Sequence, residues 1–322
     1  MKSPYFNVEK VADGVYAAIA IEDRGAWGNA GFVDLGDTTL VFDSMLTPAA
    51  ASDLRHAAEH FTENQVSHLV NSHYHFDHVF GNQVFQDVTI IATARTQELM
   101  VENLDFTNVT SIQNEIRKNN EELSAQIVGE RSPWIQRWLQ NEIAERQKFI
   151  EALPNLQLTL PNQTFVDQLE IQGSKRRIEL ITYGGGHTDS DAIMYLPDEG
   201  IAFMGDLVLV DTHPMLATGN PNEWLAILEK IIALPIQKII PGHGRVGDSG
   251  HAVNMIRYIT DVQQLVHDAY ADGKSLEILI DSPIPGLYQD WRFAHVFDWN
   301  LKYLYKQETQ TGNRNMIHGD LS

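Results

Sequence analysis

Asn71-Ser72-His73-Tyr74-His75-Phe76-Asp77-His78 places three imidazoles and a carboxylate within six consecutive residues, directly after the apolar run Val66-Ser67-His68-Leu69-Val70. Alternate residues of an extended strand point the same way, so the spacing predicts His73 and His75 on one face at the end of a strand. Asp77 and His78 then follow a turn and approach from another side. Such a run gathers nitrogen and oxygen donors for a borderline metal such as zinc. A histidine-rich loop without ligand duty explains one or two His, but poorly explains four donors at this spacing.

Three later segments repeat the device of an apolar strand ending in a donor. Gly184-Gly185-Gly186-His187-Thr188-Asp189-Ser190-Asp191 presents His187, and its glycines permit close backbone approach or positive φ. It is not a phosphate-binding loop, because it lacks the Lys-Ser/Thr ending and the glycine spacing of a dinucleotide fingerprint. Ile201-Ala202-Phe203-Met204-Gly205-Asp206 presents a carboxylate, and Lys238-Ile239-Ile240-Pro241-Gly242-His243-Gly244 another imidazole. A natural partition gives one metal His73, His75 and His187 and a second metal Asp77, His78 and His243, with Asp206 bridging. A bridging carboxylate fits a two-metal site with ions roughly 3.5–4 Å apart.

Composition narrows the field. The 322 residues carry 43 acidic and 23 basic side chains, a formal charge of −20, which disfavours nucleic acid and anionic membrane as partners. There is no cysteine, so disulfides and thiolate-held metal are excluded. Met1 to Asn7 lacks the apolar core of a secretory signal, and no run approaches a membrane span; the expectation is a cytoplasmic protein with a small-molecule substrate. A homodimer is left open.

The rest reads as layered α/β architecture. Val8 to Ile19 is apolar with a break at Asp13-Gly14, and Gly31–Leu35 with Thr39–Phe42 reads as a hairpin around Gly36-Asp37. Asp43 ends that strand, either as a turn residue or as a carboxylate orienting a metal-bound His. Pro48 to His60 reads as an amphipathic helix and Val88 to Ala92 as a buried strand. A polar helical section of about 94–153 follows, broken near Gly129 and restarting at Ser132-Pro133. Trp134, Ile135, Trp138, Leu139 and Ile143 keep helical spacing there, which suits the packing of an inserted helical pair or a lid. Strands are expected at Gln163–Gln172 and Arg177–Thr182, helices at Asn222–Leu234 and Gly250–Ala271, an aromatic helix at about 287–306, and a frayed end from Thr309. We read residues 1–322 as a single domain.

The set His-x-His-x-Asp-His, Gly-His-Thr, Gly-Asp and Pro-Gly-His-Gly resembles the metallo-β-lactamase superfamily, over nearly the whole chain. The resemblance implies a four-layer αββα sandwich with a binuclear site at the edge between the sheets. It implies His73, His75, Asp77, His78, His187, Asp206 and His243 as ligands of two divalent ions, most simply Zn2+, with Fe or Mn as alternatives. Asp43 matches the acidic residue ending the family's early strand. Lactamases with a Cys ligand are excluded, since Asp206 occupies that motif position. The chain is thus more similar to the glyoxalase II, lactonase and arylsulfatase-like branches. His75, in place of Glu, weighs against flavo-diiron oxygen reductases.

The implied chemistry is metal-assisted hydrolysis of an ester, lactone, thioester or related bond, with Asp77 ligating and orienting the nucleophile. His213, Tyr183 and Tyr74 are candidates for protonating the leaving group, although packing or surface roles suit each better. Two rivals are a phosphodiesterase or nuclease of the same fold, disfavoured by charge, and a mononuclear iron dioxygenase using a similar ligand run.

Overall fold

The computed structural model describes residues 1–104, 108–130 and 133–319, and of 133–135 and 311–319 the backbone alone. A first sheet runs β1 (Phe6–Ala12), β2 (Val15–Ala20), β3 (Ala30–Asp34), β4 (Thr39–Phe42), β5 (Val66–Val70), β6 (Thr89–Thr93) and β7 (Gln163–Phe165), in spatial order. A second contains β8 (Gln168–Gln172), β9 (Arg177–Thr182), β10 (Ala192–Leu196), β11 (Ile201–Phe203) and β12 (Lys238–Ile240), again in neighbour order. The helices are α1 (Pro48–Thr62), α2 (Phe76–Val79), α3 (Ala94–Asn103), α4 (Val109–Gly129), α5 (Pro133–Ala152), α6 (Pro221–Ile232), α7 (Ser249–Ala271), α8 (Leu276–Ile280) and α9 (His295–Gly319).

Strand alternation explains the layers. Val33, Leu40 and Phe42 point between the sheets and meet Leu180, Met194 and Phe203, with the Phe42 and Phe203 rings 5.6 Å apart. Their neighbours Phe32 and Val41 point the other way, onto Ala50, Leu54 and Ala58 of α1. On the far side Ile193, Tyr195 and Ala202 of the second sheet pack on Trp224 and Leu228 of α6 and on Met255 and Ile259 of α7. Three apolar layers therefore separate helix, sheet, sheet and helix, the αββα order expected, because each strand buried on both faces needs a covering layer on each.

Strand direction positions the site. β4 and β5 pair in parallel, as do β11 and β12, while β9 lies antiparallel to β10 and β10 antiparallel to β11. The carboxyl ends of β4 and β5 thus lie side by side in one sheet, and those of β9, β11 and β12 share a direction in the other. All the donor-bearing segments follow these ends.

Four boundaries differ from expectation. The run Gln163–Gln172 is two strands: β7 closes the first sheet on β6 and β8 opens the second on β9, the chain crossing at Val166-Asp167. The helical section holds three helices rather than a pair. In it α5 buries Leu139 and Ile150, whereas α4 buries none of its residues. The expected start at Ser132 and the side chains of Trp134 and Ile135 lie outside the described residues. The aromatic helix starts at His295, not near 287, because Phe293 takes φ 59° and Arg292 donates its amide to the Asp211 carbonyl, holding this stretch as a turn. From Thr309 the backbone is helical to Gly319 rather than frayed.

Candidate metal centre

β5 ends at Val70, so His73 and His75 are not on a strand face; Asn71 to His75 form a loop, and His75 is the residue before α2. The side chains meet nonetheless. The His73 and His75 rings lie 4.7 Å apart and His73 and His187 5.0 Å apart, while His187 Nε2 comes within 3.0 Å of His75 Nδ1. His73, His75, His187 and Asp206 form one group, and Asp77, His78 and His243 another, each offering donor atoms within 4.8 Å of one another. Asp206 spans both: Oδ1 is 3.3 Å from His78 Nε2, and Oδ2 is 3.3 Å from His187 Nε2 and 3.5 Å from His243 Nε2. Asp77 Oδ2 lies 3.2 Å from His243 Nε2.

These groups suit cations. His73 Nε2, His78 Nε2 and Asp206 Oδ1 are buried polar atoms without a hydrogen-bond partner. Orphaned atoms of this kind are rare in folded proteins and demand a reason; here they belong to donors that face one another. The opposite edges of the rings are anchored. His78 Nδ1 is hydrogen-bonded to Asp43 Oδ2 at 2.9 Å and His73 Nδ1 to Ser72 Oγ at 2.9 Å, leaving both Nε2 atoms turned inward.

Without metal the cluster is electrostatically divided. Burial, with His78 and His75 nearby, holds His73 well below the usual imidazole range, and burial with His187 takes His75 down to about 3. Burial also lowers His187. Burial opposes charge on His243 and His78 as well, yet the carboxylates of Asp206 and Asp77 outweigh it, raising His243 to about 9 and His78 well above its ordinary value. Asp206 is held well below the carboxylate range, His243, His78 and His187 overcoming its burial. The first group therefore presents neutral imidazoles, the form that ligates.

The supporting shell explains the convergence. Asp43 adopts φ 61°, which turns its carboxylate inward to accept hydrogen bonds from Ser72 N at 2.7 Å and Ser72 Oγ at 2.8 Å besides His78. Gly242 is needed by close approach: a Cβ there would sit 1.9 Å from Asp206 Oδ1.

Several contributors carried no motif of their own. Asp191, fully buried, accepts hydrogen bonds from the amides of Gly186 and Thr188 and from Thr188 Oγ1, holding the loop that carries His187. Burial pushes its carboxyl up to about 7. Asn29 donates to the carbonyls of Pro241 and Gly244 on either side of His243. Only its place before a strand, a weak signal, marked it.

A cavity of about 340 Å³ opens on the cluster, walled by Trp27, Phe76, Leu209, Met215, Phe293 and Trp299, with Glu142 and Arg146 from α5. Glu145 of the same helix accepts hydrogen bonds from the amides of Arg24 and Gly25 and so holds the loop bearing Trp27. The helical section thus forms part of the cavity wall. Of the three suggested proton donors, His213 lines this cavity, is hydrogen-bonded to Tyr258 at 2.9 Å and is lowered by burial to about 4. Tyr74 and Tyr183 are absent from the lining; Tyr183 packs on the α6 side under Lys230.

Two facing sheets lie between helical layers, with buried His and Asp donors gathered at the strand ends as a candidate metal centre. The chain belongs to the metallo-β-lactamase superfamily, whose sequence model matches residues 27–243. It is 29% identical over 124 residues to a metallo-beta-lactamase type 2 of Bacillus sp. (strain 170), and 28% identical over 124 residues to one of Bacillus cereus. Each alignment covers 36% of this chain and spans only 45% of the relative's length. Among solved structures, a metallo-beta-lactamase from Pontibacter korlensis aligns with TM-score 0.58 at 16% identity, over 79% of this chain and 99% of that one. The DIM-1 metallo-beta-lactamase aligns with TM-score 0.56 at 17% identity, over 80% and 98%. At such identity the structural likeness concerns the fold. Among the described residues no helix is long and apolar enough to cross a membrane.

Proposed function

We propose that this protein is a binuclear, zinc-dependent hydrolase of a small-molecule ester, lactone, thioester or related bond. The observation that carries the reading is Asp206, whose two carboxylate oxygens face His78 on one side and His187 and His243 on the other. His73, His75 and His187 would hold one ion, and Asp77, His78 and His243 the second, with Asp206 shared. Two divalent cations supply, when bound, an ionised water near neutral pH and polarisation of the scissile carbonyl. Asp77, which reaches the cavity, ligates and orients the attacking water by accepting its hydrogen bond. Trp27, Phe76 and Phe293 exclude bulk water and seat the apolar part of the substrate. His213 serves as packing: burial keeps it neutral, and its ring sits against Tyr258 and Trp291.

The names of the sequence relatives suggest a β-lactam as substrate. The absence of cysteine and the presence of Asp206 at the bridging position favour instead the glyoxalase II and lactonase-like branch. The test couples metal analysis of the purified chain to a panel of ester, lactone, thioester, phosphodiester, sulfate and β-lactam compounds. Two metal equivalents and turnover of the carbonyl substrates are expected. His187→Ala and Asp206→Ala should each lose metal and activity together while circular dichroism stays that of a folded chain. Wild-type activity in either variant refutes the site; one iron per chain with oxygen uptake on a persulfide replaces the reading with an oxygenase.

A further inference from the structure

The cavity beside the seven candidate donors has a wall surface that is mostly apolar, and among its described lining residues Arg146 is the one Lys or Arg. Arg146 stands on α5, in the helical section, away from every motif that carries the metal chemistry. Its Nε donates to Glu142 Oε1 at 2.8 Å, one helical turn earlier, and Glu142 is itself only 5% exposed. Its side chain keeps 19% exposure, and among the described residues no hydrogen bond or ion pair engages its two Nη atoms. A guanidinium held by Nε in one rotamer and free along its Nη edge is preorganised to grip a planar anion with two parallel hydrogen bonds.

We infer that Arg146 is a specificity-determining residue which pairs with a carboxylate on the substrate, and that the substrate joins this carboxylate to its scissile bond through an apolar body. The inference rests on the proposed hydrolase reading for the site and adds the class of compound it takes. Size and charge choose the carboxylate. Glu142 already offsets the guanidinium's charge, so the two Nη donors suit a monoanion held by hydrogen bonds better than a phosphate dianion, which this wall would leave largely uncompensated. The aromatic walls, Trp27, Phe76, Phe293 and Trp299, account for the apolar body. The helical section then sets which compounds enter, while the strand-end loops set the chemistry.

The test compares zinc-loaded wild type, Arg146→Gln and Arg146→Lys on two esters: the mono-4-nitrophenyl ester of a medium-chain diacid, with its free carboxylate, and the methyl-capped neutral analogue. Wild type is expected to prefer the acid through KM. Loss of a charge-assisted bidentate contact should shrink that preference about ten- to hundred-fold in Arg146→Gln, with an intermediate loss in Arg146→Lys, which keeps the charge without the fork. A preference unchanged in both variants overturns the inference while leaving the hydrolase reading intact. Turnover of neither ester by wild type counts against that reading instead. In that event binding of 8-phenyloctanoate and of its amide, followed by tryptophan fluorescence, decides the question: discrimination lost in Arg146→Gln upholds the inference, and equal discrimination in both proteins overturns it. The Arg146→Lys variant covers the case in which Gln leaves Glu142 buried without a partner and the chain fails to fold.

Discussion

Asp43 Oδ2 lies 2.9 Å from His78 Nδ1, and both side chains are buried to within about one per cent of full enclosure. A carboxylate that orients a metal-directed imidazole in this way selects its tautomer and raises its basicity. Asp43→Asn removes the charge and turns an amide toward the Ser72 donors that the carboxylate now accepts. Zinc affinity should weaken by about 10–100-fold, as for other outer partners of metal ligands. Competition against a chromogenic chelator measures it, and unaltered affinity would show Asp43 to be a turn residue alone.

The close approach of Gly242 to Asp206 leaves no room for a methyl group. Gly242→Ala should push the carboxylate or its loop aside and cost about 1–3 kcal/mol of stability, the usual range for overpacking. Metal stoichiometry should fall with it. Thermal melting and metal analysis on the same preparation check both, and a variant with full metal content and an unchanged melting temperature contradicts the geometry.

pH should act on the metal-free protein from two sides. His243 is raised to about 9 from 6.5, so its contribution is complete below pH 6.5 and is lost as pH rises through about 9. His75, taken down to about 3 from 6.5, works oppositely: the unfolded chain takes up its proton first, so stability is lost as pH falls from 6.5 toward 3. A stability maximum near neutral to slightly acid pH follows, each flank falling by at most roughly 1.4 kcal/mol per pH unit for each such proton. Because ligands must shed protons to bind, metal affinity should rise with pH across the alkaline flank. Urea denaturation of chelator-treated protein tests the first statement, and a flat profile above pH 6.5 contradicts it.

Glu145 ties α5 to the loop at Arg24 and Gly25, and burial raises its carboxyl to about 7. Glu145→Ala leaves the buried Gly25 amide and the part-buried Arg24 amide without this partner, at a cost of about 1–3 kcal/mol for the buried one. The loop carrying Trp27 should loosen, lowering kcat/KM on the preferred substrate several-fold with metal content intact. Parallel loss of metal would mean that the helix supports the cluster itself rather than the cavity wall.

The candidate donors were legible because they follow apolar strands and stand within two residues of glycine or another donor, a pattern local in the chain. Their supporters were not. Asp191 and Asn29 act through hydrogen bonds to the loops that carry His187 and His243, and nothing in their neighbours' spelling distinguishes them from turn residues. Glu142 and Arg146 read as an ordinary helical pair four residues apart until the fold turns that face toward the cavity. The strand expected over Gln163–Gln172 failed for a similar reason, since the apolar pattern continues through the point where the chain changes sheets.

The amino-acid sequence by itself determined the strand and helix periods and the layered class and marked the seven candidate donors, because periodicity and ligand chemistry are short-range properties. Tertiary structure alone decided that His75 and His187, 112 residues apart, meet at 3.0 Å, and that α5 walls the cavity. Those facts depend on strand direction and on which faces bury together, and such long-range packing has no signature within any single stretch of the chain.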